Sequence, residues 1–158
     1  MQILRRFFPK VMDNRFRGRK LALWLFCPLL LMNLVIAITG IFARDGGAQS
    51  ADGIPLDRFG GGGAQAVIGV IALLGLAKLL LWLLGVLALF RYRAMIPLMF
   101  LLIVIDQLAR KGVMQLKPIL HVGTSTGSFV NLAILAVSVI GLVLSVQGKG
   151  YTATPDPK

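Results

Sequence analysis

Glutamate is absent from the 158 residues of this chain, cysteine and histidine occur once each, and the six acidic side chains are all aspartates. Without Glu there is no HExxH helix, and one loop histidine cannot complete a Ser-His-Asp set inside an apolar core. Cys27 alone allows no intrachain disulfide, no CxxC redox pair and no thiolate cluster. It reads as a small apolar packing residue. His121 has no second ligand of matching type, so neither a metal site nor haem ligation is expected, and no cofactor is predicted. The run Gly60 to Gly63 could pass for a phosphate cradle, but no Lys-Ser/Thr follows it and no strand precedes it.

Apolar residues are what the chain has in excess: 57% are hydrophobic, only 15% are charged, and the mean hydropathy is +0.83. A soluble domain of this size would not need so much apolar surface to fill its core. At about 20 residues per crossing, the apolar runs give four helices, at 21–43, 65–90, 94–114 and 128–147. The expected fold is therefore all-α: an integral membrane four-helix bundle occupying 21–147, with a cytoplasmic amphipathic segment at 1–20 and a disordered cytoplasmic tail at 148–158.

The net charge of +11 invites a nucleic-acid reading. Its distribution argues against one, because seven of the 17 basic residues (Arg5, Arg6, Lys10, Arg15, Arg17, Arg19 and Lys20) precede the first apolar run. Topology signals and lipid-binding charges normally sit there. With a cytoplasmic N-terminus, eleven basic residues lie inside and five outside; the positive-inside rule then favours both termini in the cytoplasm. Residues 1–17 place Ile3, Leu4, Phe7, Phe8, Val11 and Met12 on one helical face and Arg5, Arg6, Lys10, Asp13 and Arg17 on the other. This predicts an interfacial helix, kinked at or starting after Pro9. Its expected counter-ions are anionic headgroups, contacted by Arg5, Arg6, Lys10, Arg17, Arg19 and Lys20.

Arg5 and Arg6 partly match a twin-arginine export signal. A second basic cluster at 15–20 separates them from the apolar run, and the end of that run lacks a cleavage pattern, so the first helix reads as an uncleaved anchor.

The first loop, 44–64, is rich in glycine, which predicts mobility except where Ile54, Pro55, Leu56 and Phe59 touch the bilayer or the helix ends. Arg91, Tyr92 and Arg93 form a tight turn whose arginines snorkel while the phenol sits in an aromatic belt, an inner-interface anchor. On the fourth helix Asn131, Ser138 and Ser145 recur every seven residues, and Gly141 joins them, a face suited to close approach and interhelical hydrogen bonds.

Lys78 and Asp106 come closest to chemistry. Each lies 14 residues from Tyr92, on opposite sides of it, so a hairpin of two spanning helices brings them to one depth. Asn33, Lys78 and Asp106 also each lie 12 residues from the presumed cytoplasmic ends Leu21, Phe90 and Ala94, about 18 Å inward. A central Lys or Asp facing lipid costs about 2.5 to 3.5 kcal/mol. An interior pair with Asn33 as hydrogen-bonding neighbour is therefore expected, chiefly as a polar lock on helix register. Two other arrangements stay open: Asp106 near the outer interface beside Arg110 at i+4 with Lys78 snorkelling, and a functional pair in proton or ion coupling or a polar substrate site.

Several stretches together resemble a family of small bacterial four-helix inner-membrane proteins. They are 12–18 with 21–26, Ala51-Asp52-Gly53-Ile54-Pro55-Leu56-Asp57, Arg91-Tyr92-Arg93-Ala94-Met95-Ile96-Pro97-Leu98-Met99-Phe100, and Asn131-Leu132. The resemblance covers most of the chain and implies one domain in a bacterial inner membrane, with no activity attached. The expected function is that of a non-enzymatic accessory or scaffolding subunit, partnered by the bilayer and by copies of itself or a larger membrane complex. A small ion-coupled transporter using Lys78 and Asp106 is the alternative. A redox subunit holding a quinone between Trp24, Trp82, Phe26 and Phe100 comes third.

Overall fold

The computed structural model describes residues 14, 16, 18–118, 122 and 126–147. The expected interfacial helix with Arg5, Arg6, Lys10 and Arg17, the histidine at 121 and the tail at 148–158 lie outside them. Among the described residues there are four α-helices and no strands: α1 (Lys20–Phe42), α2 (Gly61–Phe90), α3 (Ile96–Leu116) and α4 (Thr126–Val146). Short 3-10 turns precede α2 and α3, at Leu56–Arg58 and Arg93–Met95.

Three of the helices, α1, α2 and α4, are long and apolar enough to cross a membrane. Their apolar residues run all the way round, the mark of a helix not facing water. α3 does not qualify, against the expected four crossings, because Asp106, Arg110 and Lys111 crowd its second half. Its buried residues, Ile96, Pro97, Met99, Phe100, Ile103, Val104 and Gln107, recur at helical spacing and stop at Gln107. Pro97 sits in the first turn, where a missing N–H is harmless. Inside α1, Pro28 leaves the carbonyl four residues back without its usual donor, yet the helix continues.

The chain runs up and down. Gly40 meets Gly75 and Leu30 meets Gly85, so α1 and α2 are antiparallel. Arg19 N–H donates to Leu144 O (3.3 Å), so the start of α1 lies at the end of α4. α1 packs extensively on both α2 and α4, and α3 packs on α4; the α2–α3 contact is much thinner. The core lies where α1, α3 and α4 meet, with Phe26 and Phe100 edge to face at 5.2 Å among Ala22, Leu29, Ile96, Met99 and Ile134. A Cβ on Gly141 would collide with the Phe100 ring, so glycine there is what admits the aromatic.

The first loop departs from expectation. Gly61 to Gly63 belong to α2, capped by Gly60, so α2 has 30 residues and a length of about 45 Å. Preceding residues fold back on it: Ala48, Ile54 and Leu56 are buried against Ala64, Val67, Ile68 and Ile71. Gly46, Gly47 and Gly53 take positive φ (62°, 85° and 69°), a conformation open to glycine and strained for other residues. Two backbone bonds then tie the loop across the protein, Val122 N–H to Gly53 O (2.8 Å) and Gly127 N–H to Ala51 O (3.0 Å). Of the glycines that suggested mobility, Gly46, Gly47 and Gly53 turn the backbone and Gly61 to Gly63 enter α2; Phe59 alone of the expected anchors stays exposed, at 45%.

Candidate functional site

Lys78 and Asp106 do meet. Lys78 Nζ donates to Asp106 Oδ2 at 3.2 Å, joining α2 to α3 across their thin contact. The tight turn at Tyr92 sets the register: Met95 N–H bonds Tyr92 O, and Arg93 Nε donates to Leu89 O (3.1 Å), occupying a carbonyl at the end of α2. Arg91 is exposed and Tyr92 half-buried.

The carboxylate has a second cation. Arg110 Nε lies 3.1 Å and 3.2 Å from the two Asp106 oxygens, one helical turn further on. Two arrangements that stood as alternatives in the sequence thus occur together: the interhelical pair and the i+4 pair share one carboxylate. Lys78 is nearly enclosed, its side chain 10% exposed, against 32% for Asp106 and 37% for Arg110.

Asn33 is not a member. Its Nδ2 donates to Leu29 O in its own helix at 2.8 Å. The glycine contacts explain why. With Gly40 opposite Gly75, Lys78 stands opposite Ala37 and Asn33 opposite Trp82, about one turn, or 6 Å, towards the Tyr92 end. Equal counts from the helix ends fail because α1 begins further out than α2 stops. Asn33 instead lines a cleft of about 20 Å³ with Phe26, Leu30, Leu81, Trp82, Met99 and Ile103, room for about one water.

Of the four aromatics offered for a quinone pocket, three lie together and one, Trp24, does not. Phe26 and Phe100 pack on each other, Trp24 points outward at 76% exposure, and the cleft beside Trp82 is far smaller than a quinone ring.

The small face of α4 is buried as expected, at Ser138, Gly141 and Ser145, with Asn131 half-buried. Its hydroxyls do not cross between helices. Ser138 Oγ donates to Ile134 O (2.6 Å) and Ser145 Oγ to Leu142 O (2.7 Å), both within α4. Back-bonding of this kind satisfies a hydroxyl in apolar surroundings without a partner helix. Of the basic residues expected to touch lipid, Arg19 and Lys20 are described, and both are exposed.

Three features escaped the sequence reading. Gln107, beside Asp106, is only 2% exposed, and its Nε2 has no hydrogen-bond partner among the described residues; nothing in its apolar neighbours signals this. Gly75, Lys78, Gly85 and Ala88 form the buried stripe of α2, which the spacing of small residues could have shown. Asp45 organises the loop, its Oδ1 accepting from Gly47 N–H (3.0 Å) and Oδ2 from Gln49 (3.1 Å) and Ser50 (2.7 Å) N–H. Burial raises the Asp45 pKa, but the backbone donors, Ser50 and Gly47 foremost, outweigh it and lower the value to about 2.

No family model, curated protein or solved structure matches the chain.

Proposed function

We propose that this chain is a four-helix bundle of a bacterial inner membrane, both termini cytoplasmic, acting as a non-enzymatic accessory or scaffolding subunit of a larger membrane assembly or of a homo-oligomer. The observation that carries the reading is the exposure of α2: only 11% of its apolar window is buried within the protein. A helix of this length held mainly by α1 leaves most of its surface for lipid and for other helices. The bond from Val122 to Gly53 supports a fourth crossing, since it returns the α3–α4 connection to the end where α1 stops. The charge count supports the orientation.

Asp106, held by two cations, fits a structural lock better than a catalytic base. Purification in mild detergent followed by mass spectrometry tests the proposal. A co-purifying membrane protein or a defined oligomer is expected; a free monomer with nothing bound would refute it.

A second reading, an ion-coupled transporter, draws on the partial exposure of Asp106 beside an enclosed lysine. It predicts that Asp106→Asn abolishes transport in vesicles while the protein still inserts and folds. Loss of insertion instead would assign the pair to structure.

A further inference from the structure

At the α2–α3 junction two cations share one carboxylate, leaving one positive charge in excess beside a nearly enclosed lysine. A positive excess beside an enclosed lysine favours a further anion. Arg110 has the means to hold one. A guanidinium carries five N–H donors, Arg110 engages Asp106 through Nε, and no hydrogen bond from its terminal nitrogens is found among the described residues.

The level suits a headgroup. Lys78 stands opposite Ala37, close to the end of α1 at Phe42, and Arg110 lies one turn nearer that end than Asp106. Leu102, Asp106, Arg110 and Val113 share one face of α3. Leu102 (38% exposed) lies on the side towards the Tyr92 turn, where an acyl chain descending from Arg110 would run. A free anion would have no use for that apolar side.

We infer that the α2–α3 junction is a seat for the phosphate of an anionic phospholipid, bound by the terminal nitrogens of Arg110, with Lys78 behind Asp106 supplying the uncompensated charge. The seat rests on the membrane reading above and lies at the opposite end of the helices from Arg19 and Lys20.

The test is native mass spectrometry of the full chain, released from nanodiscs of phosphatidylcholine with or without phosphatidylglycerol. Wild type is expected to retain phosphatidylglycerol preferentially. Arg110→Gln should lower that preference about tenfold, the scale of one charge-assisted contact, and Arg58→Gln in the loop should leave it unchanged. The basic N-terminal residues contribute equally to every variant and cancel. Equal retention of both lipids by wild type overturns the inference without any substitution, and so does an Arg110→Gln protein that matches wild type. If inorganic phosphate in phosphatidylcholine discs stabilises the protein against heat as well as phosphatidylglycerol does, the site takes a free anion and the lipid assignment fails. Alkaline carbonate separates the two levels: a chain that it extracts overturns the membrane reading itself, whereas an embedded chain without lipid preference overturns only the seat.

Discussion

In the connection at 43–60 the carboxylate of Asp45 accepts three backbone amides, whereas at the α2–α3 junction the carboxylate of Asp106 accepts two side-chain cations. The first arrangement is local: every donor lies within five residues, and the loop that it shapes is then tied to residues 122 and 127 by main-chain bonds. The second is long-range, joining residues 28 apart across helices that otherwise touch little. Local ordering of this kind depends on glycines free to take positive φ. Long-range pairing depends on the energetic penalty of leaving a charge in apolar surroundings. The two should therefore fail under different perturbations.

The largest effect is expected at the junction. Lys78→Asp places two carboxylates together and should lower stability by about 3 kcal/mol, the scale of a broken buried pair, measured as a fall in thermal midpoint in detergent. Adding Asp106→Lys should recover only part of it, because the new lysine would stand beside Arg110. Full recovery would show that Arg110 is not a working member of the cluster.

Next comes the helix crossing that sets the register. A Cβ on Gly75 would lie 3.0 Å from Ala37 O and 3.2 Å from the Gly40 carbonyl carbon, backbone that cannot move aside cheaply. Gly75→Leu should cost about 1 to 3 kcal/mol by forcing α1 away from α2. Cysteine crosslinking between positions 33 and 82, which face each other in the same register, would reveal the shift; an unchanged crosslinking yield would put the register elsewhere.

A smaller, confined effect is expected in the loop. Asp45→Asn should speed amide exchange at residues 47–50 about fivefold, through loss of charge-assisted acceptors, without moving the global midpoint by much. The pH dependence has a definite sign. The Asp45 pKa is depressed from 3.8 to about 2 in the folded protein, so its stabilisation is fully present above pH 3.8 and is lost as pH falls through about 2. Exchange protection that faded on raising the pH from 4 to 7, after correction for intrinsic rates, would contradict this assignment.

The smallest change should come from Asn33→Leu, within about 0.5 kcal/mol of wild type, since its amide serves only its own helix. A loss comparable to Lys78→Asp would restore Asn33 to the polar cluster and break the register drawn from the glycines.

Much of the site was legible in the chain. Lys78 and Asp106 are charges inside apolar runs at equal distances from a turn, and the cost of burying a lone charge is enough to predict their meeting. Arg110 was legible as an i+4 neighbour, but as a competitor to Lys78 rather than a second partner, because periodicity describes one helix at a time. Asn33 was misplaced because its depth was counted from a helix end, and helix ends need not lie in one plane. Ser138 and Ser145 of α4 were correctly placed on a packed face. Their donors were misassigned, since a hydroxyl can serve its own helix as readily as a neighbour.

The sequence alone determined the apolar character of the helices, the turn at Tyr92 and the opposed charges of Lys78 and Asp106, all of which follow from local composition and the cost of removing charge from water. Tertiary structure decided the axial offset between α1 and α2, the sharing of Asp106 by two cations and the folding of a glycine-rich loop onto α2. Those depend on where backbones can approach, and that is set by pairs of residues, such as Gly40 and Gly75, that the chain keeps far apart.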